Sequence, residues 1–156
     1  MDNYELVRQL MIATNKIDGV YYLCARKMGI QENMLALLYA LDDGKNHTQK
    51  QVCEEWLIPK TTINTIVKEL VSAGYITLLP EGKTREKNIA LTESGKKYVD
   101  NIMKNIYKSE QQAIKKTREK FSAEFVEAFN YFADCLCEEF QKRGLKGEQK
   151  DENTVI

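Results

Sequence analysis

The stretch from His47 to Leu91 limits the choice of fold more than any other, because each of its boundaries has a chemical cause. Thr48 stands three residues before Gln51, the capping-box spacing that satisfies orphan amides at a helix start. Val52, Trp56 and Leu57 fall at helical spacing on one side of the short helix that follows. Pro59 stops that helix and, with its φ already fixed, suits the opening of the next. Ile63, Ile66, Val67 and Leu70 then form an i, i+3, i+4, i+7 apolar stripe, with Lys60, Thr61, Asn64, Thr65 and Lys68 on the opposite face. Gly74 sits where such a helix needs a left-handed residue to end it. The β-type run Tyr75–Leu79 follows, Pro80-Glu81-Gly82 turns it, and Asn88–Leu91 returns as a partner strand. This order predicts a winged helix-turn-helix: mainly α, with a small two- or three-stranded β wing.

The flanks are helical. Residues 3–28 carry Leu6, Val7, Leu10, Met11, Ile17, Val20, Tyr21 and Cys24 on a broad stripe, with Gly19 a weak point inside and Gly29 the end. A second helix runs over 31–41. Thr92-Glu93-Ser94-Gly95 opens a long polar-rich helix whose sparse apolar side is Tyr98, Ile102, Met103, Ile106, Tyr107, Ile114 and Phe121. A stripe that narrow suits a helix bridging out to a partner. Ser122 is placed to cap a last helix, Ala123 to about Arg143, rich in Phe125, Val126, Phe129, Tyr131, Phe132, Leu136 and Phe140. The end helices hold more apolar surface than one small winged lobe can cover, which predicts interleaving with a second copy in a two-fold dimer. The expected organisation is one domain over residues 1–144. Its DNA-binding lobe is 30–92, its dimerisation helices are 3–28 and 93–143, and a charged tail follows at 145–156.

With 23 basic and 23 acidic residues the chain is formally neutral, which argues against general polyanion binding, since affinity for DNA rests largely on phosphate neutralisation. The balance is local, however. Between residues 45 and 97 nine bases face six acids, a net +3 where the helix-turn-helix lies. No apolar run approaches the roughly 20 residues of a membrane span and no signal-peptide core is present, so the expected location is cytoplasmic. Cys24, Cys53, Cys135 and Cys137 form no Cys-x-x-Cys pair and have no neighbouring histidine, so all four read as small core residues. His47, the one histidine, lacks partners at ligand spacing and reads as a surface or capping group; Trp56 reads as core. No metal or cofactor is expected. With no paired carboxylate, nucleophile–histidine pair or glycine-rich phosphate loop, neither is catalysis.

The candidate DNA contacts lie in three places. At the entrance of the first helix they are Thr48 and Gln49. Along the polar face of helix 59–73 they are Lys60, Thr61, Thr62, Asn64, Thr65 and Lys68, where Asn64 can pair bidentately with adenine and the two lysines suit the phosphate backbone. At the hairpin tip they are Lys83, Arg85 and Lys87, a basic projection suited to a minor groove. Two copies of the helix can enter successive major grooves about one helical turn apart.

Three segments carry a resemblance to a known family: Ile58-Pro59-Lys60-Thr61-Thr62-Ile63-Asn64, Leu70-Val71-Ser72-Ala73-Gly74-Tyr75-Ile76, and Ile89-Ala90-Leu91-Thr92-Glu93-Ser94-Gly95. Over about residues 4–143 the chain resembles the multiple-antibiotic-resistance regulator (MarR) family of bacterial winged-helix transcription factors. The resemblance implies a homodimer on a pseudo-palindromic operator, released by a ligand or oxidant, with no catalysis; the expected role is a ligand- or stress-responsive repressor. Tyr21, Tyr22, Phe125, Phe129 and Phe132 of the end helices read as dimer core, the alternative being that some of them line a small-molecule effector pocket between the dimerisation and DNA-binding lobes. The resemblance places the recognition helix on Lys60, Thr61, Thr62, Asn64, Thr65 and Lys68 and the wing arginine on Arg85, seven residues before Thr92. Two positions depart: Lys83 stands where the family has an acid, and Thr65 where it often has an arginine on the recognition helix. The alternatives are a winged-helix protein–protein module without DNA binding and a cysteine-based redox-sensing regulator.

Overall fold

The computed structural model describes residues 2–80 and 87–145. Nine elements follow in chain order among them: α1 (Asn3–Met28), α2 (Glu32–Leu41), β1 (His47–Thr48), α3 (Gln49–Trp56), α4 (Lys60–Ser72), β2 (Ile76–Pro80), β3 (Lys87–Leu91), α5 (Glu93–Arg118) and α6 (Glu124–Lys142). The chain divides into two compact units, residues 1–106 and 107–156. No described helix is long and apolar enough to cross a membrane.

The first unit holds the winged helix-turn-helix. Its sheet is antiparallel in the order β1-β3-β2, with Ile76 opposite Leu91 and Pro80 opposite Lys87 at the far end of the hairpin. The third strand is a two-residue one, His47 and Thr48 facing Ile89 and Asn88. Local chemistry sets the helix limits. Asp2 caps α1 by accepting from the Glu5 amide at 2.8 Å. At the other end Gly29 turns left-handed (φ +73°), and the Gly29 and Ile30 amides return to Arg26 and Ala25 carbonyls. The capping box at α3 is reciprocal: Gln51 N donates to Thr48 Oγ1 at 3.1 Å and Thr48 N donates to Gln51 Oε1 at 2.8 Å.

The core lies where α2, α3, α4, β3 and the first turns of α5 meet. Leu37, Leu38, Val52, Ile63, Ile66, Ile89, Val99 and Met103 are fully buried there, each burial contributing roughly 1.5–3 kcal/mol. The predicted stripe Ile63, Ile66, Val67, Leu70 is buried throughout. Two apolar assignments at the α3 end differ from the sequence reading. Leu57 leaves the helix at φ +50°, the one non-glycine residue with positive φ among those described, and its side chain is 63% exposed. The helical period therefore stops one residue earlier than the pattern suggests, and Ile58 takes the buried place. Trp56 is not core: it is 39% exposed, its ring tilted at 56° against Tyr39 with centroids 5.5 Å apart.

In the second unit, α6 begins without the predicted serine cap. Ala123 is the N-cap residue, in a helical conformation, and Ser122 Oγ instead bonds the Glu124 carboxylate at 3.1 Å. No residue of α6 is buried within the chain; Phe125, Val126, Phe129, Tyr131 and Phe140 are all exposed. The cysteines divide by place: Cys53 is buried, Cys24 and Cys135 are half-buried, and Cys137 is exposed, so the core assignment fails for Cys137. Burial pushes the Cys53 thiol above its ordinary value.

A clasp joins the end of α4 to the start of α5. Thr92 Oγ1 donates to the Gly74 carbonyl at 2.7 Å and accepts from Gly95 N at 3.0 Å, acting as the cap of α5. Ser94 Oγ donates to the same Gly74 carbonyl at 2.8 Å, and Thr92 N donates to Tyr75 O at 3.0 Å. Gly74 is left-handed (φ +77°), which aims its carbonyl out of the helix. Gly95 is required by proximity: a Cβ there would lie 1.8 Å from Tyr75 O. Gly95→Ala should therefore force the two segments apart and lower stability by about 1–3 kcal/mol in urea unfolding, the range for overpacking. Leu57→Gly should do the opposite. Removing the left-handed penalty, less the entropy glycine gains unfolded, leaves a gain of about 0.5 kcal/mol, read as a higher urea midpoint at unchanged slope.

Candidate nucleic-acid interface

The predicted contacts sort by how the fold presents them. Burial of Ile63, Ile66, Val67 and Leu70 fixes the rotation of α4 about its axis, so Lys60, Thr61, Thr65 and Lys68 are exposed and Thr62 and Asn64 half-buried along its other face. The surface is short, polar and rigidly backed. Thr65 Oγ1 donates to Thr61 O at 3.1 Å, so its proton is held by the helix and the oxygen is left to act as an acceptor. Lys60 lies near enough to Cys53 for its charge to oppose the burial effect on that thiol.

At the α3 entrance the two candidates part. Gln49 is half-buried, whereas Thr48 is only 5% exposed and its hydroxyl oxygen serves the capping box. Thr48 thus orders the first turn of the helix-turn-helix and is withdrawn from the surface. Lys87 is exposed at the start of β3, opposite Pro80. Lys83 and Arg85 lie outside the described residues.

One device next to this surface was not visible in the pattern. Asp43 Oδ1 bonds His47 Nε2 at 2.8 Å and accepts from Lys45 N at 2.8 Å, tying the α2–β1 turn to the strand that leads into α3. The His47 hydrogen bond, then the Lys45 amide, holds the Asp43 carboxyl below its ordinary value. The signal was present, since aspartate four residues before histidine in a glycine-containing turn can close on it, but nothing in a helical period or strand alternation flags such a pair. Among the described residues no cluster of three His, Cys, Asp or Glu side chains could hold a metal ion.

An exposed polar face on the second helix of a helix-turn-helix, backed by a three-stranded wing, defines the winged-helix class. The comparisons narrow that class. The MarR family model matches residues 29–85, the span from the α1–α2 turn into the wing. The fold extends the likeness to most of the chain. It superposes on a MarR family regulator from Neisseria meningitidis with a TM-score of 0.68 at 26% identity, covering 92% of this chain and 96% of that one. MepR from S. aureus, solved in its DNA-binding conformation, gives 0.65 at 17% identity over 89% of this chain and 99% of its own. BldR from Sulfolobus solfataricus gives 0.64 at 15% over 86% and 99%. No curated protein matches the sequence. The family model thus covers the winged lobe, and the structures show that the chain has the fold of MarR family transcriptional regulators.

Proposed function

We propose that this protein is a sequence-specific, double-stranded-DNA-binding transcriptional repressor that works as a homodimer. The observation that carries the reading is the outer face of α4: six polar or basic positions, Lys60, Thr61, Thr62, Asn64, Thr65 and Lys68, on a helix whose opposite face is locked into the core. In this reading α4 lies in the major groove. Asn64 and the threonines meet base edges there, while Lys60 and Lys68 meet phosphates. Gln49 at the α3 entrance adds a backbone contact, and Lys83, Arg85 and Lys87 of the wing follow the neighbouring groove.

A second copy supplies what one neutral chain lacks. Leu6, Val7, Ile17 and Val20 on α1 are exposed within the single chain, as are Phe125, Val126, Phe129 and Phe140 on α6. Exposed apolar surface of that extent favours burial against another subunit. Two α4 helices held at a fixed spacing double the phosphate contacts and require two half-sites in register. An effector seated between the dimerisation and DNA-binding lobes would then act by favouring a spacing that misses one half-site, and it can shift that equilibrium only by its differential affinity for the two spacings.

Two substitutions divide the contacts by role. Lys68→Ala should weaken binding to operator and random duplex alike and lower the salt slope by about 1. Asn64→Ala should erode discrimination between them by about 1–3 kcal/mol while sparing nonspecific affinity. Fluorescence anisotropy across a salt series reads both. If both variants bind every duplex as the wild type does, the α4 face is not the DNA surface.

A further inference from the structure

Two helices carry charge of opposite sign in the same spacing. Between residues 101 and 118, α5 holds Lys104, Lys108, Lys115, Lys116 and Arg118 against one acid, Glu110. Lys104, Lys108, Lys115 and Arg118 share one side of the helix, within an arc of about 80° at 3.6 residues per turn. All four are exposed, and the buried Val99, Ile102 and Ile106 lie on the other side. From residue 124 to 138, α6 holds four acids and no base: Glu124, Glu127, Asp134 and Glu138. These too are exposed on an arc of about 80°, opposite Phe125, Phe129 and Phe140.

The intervals match when the two helices run antiparallel. Along α5 the four bases stand at steps of 4, 7 and 3 residues, and the four acids of α6, read backwards, stand at the same steps. Side by side, Lys104 meets Glu138, Lys108 meets Asp134, Lys115 meets Glu127 and Arg118 meets Glu124, over about 21 Å at 1.5 Å per residue. Among the described residues none of these eight is in an ion pair within the chain. Folding α6 back on its own α5 to pair them would turn the phenylalanines away from that helix. A separate copy can offer its acids while its aromatic face stays buried. Net charge does not hold copies apart either, since the chain is formally neutral.

We infer that dimers of this protein associate further, the acidic face of α6 from one dimer docking antiparallel on the basic face of α5 from another. The inference rests on the homodimer proposed above, in which the aromatic face of α6 is buried and its acids are left outward. Exposed ion pairs are individually weak and screened by salt, so the contact forms at low salt and depends on protein concentration. It does not depend on whether α4 reads DNA.

Sedimentation velocity of the full-length protein, without DNA, tests the inference at about 0.01 M and about 1 M salt, where the screening length falls from about 30 Å to about 3 Å. At high salt the protein should run as a dimer. At low salt its mass should rise with concentration towards twice that or more. Two doubly substituted variants keep the net charge at zero and differ only in register. Lys108→Glu with Asp134→Lys preserves every opposed pair and should associate as the wild type does. Lys108→Glu with Glu127→Lys sets like charges together at two of the four places and should weaken association by about tenfold or more. Both should remain dimers at high salt, since all three positions are exposed. A wild type that stays dimeric at low salt, or equal association by the two variants, would overturn the inference. A monomer at high salt would refute the homodimer itself, and this contact with it.

Discussion

The structure of the first unit turns on one carbonyl. Gly74 O receives the Thr92 hydroxyl at 2.7 Å and the Ser94 hydroxyl at 2.8 Å, and the neighbouring Tyr75 O receives the Thr92 amide. These bonds hold the C-terminal end of α4 against the N-terminal end of α5 across a gap too narrow for a side chain at residue 95. Everything positioned by α4 inherits this constraint. Its apolar stripe enters the core at a fixed rotation, its polar face therefore emerges at a fixed rotation, and Tyr75 is brought over Tyr98. A threonine, a serine and a glycine thus perform three separate tasks in four residues: capping a helix, gripping a carbonyl and permitting contact.

This arrangement explains why some of the fold was readable from the chain and some was not. The capping box at Thr48 and Gln51, the left-handed Gly74 and the hairpin strands each depend on residues within a few positions, so local chemistry suffices to find them. Leu57 misled because an apolar residue continuing a helical period looks buried even when the helix has already ended, and Trp56 because, as the last residue of α3, it lays its ring on Tyr39 while staying exposed. Ser122 misled in a similar way, since its hydroxyl found the Glu124 carboxylate rather than a backbone amide. The Tyr75–Tyr98 stack joins residues far apart in sequence, and no spacing rule points to it.

The candidate interface was legible to a similar degree. The α4 face follows from the period that buries the other side, so its exposed and half-buried positions agree with the sequence expectation. Thr48 shows the limit of reasoning from residue type alone: a hydroxyl at a helix entrance serves equally well as a cap or as a phosphate ligand, and burial decides between them. Overall neutrality also takes on a specific meaning. A chain with equal numbers of acids and bases has little general attraction for DNA, so in the proposed dimer binding would draw on the small basic excess around the helix-turn-helix, present twice.

The central claim, that two copies of α4 read DNA together, is tested most directly by selecting bound sites from a random duplex library with the purified full-length protein. The account predicts an enriched inverted repeat whose half-sites are centred about 10–11 base pairs apart. Recovery of no motif, or of a single half-site with no fixed partner, would contradict it.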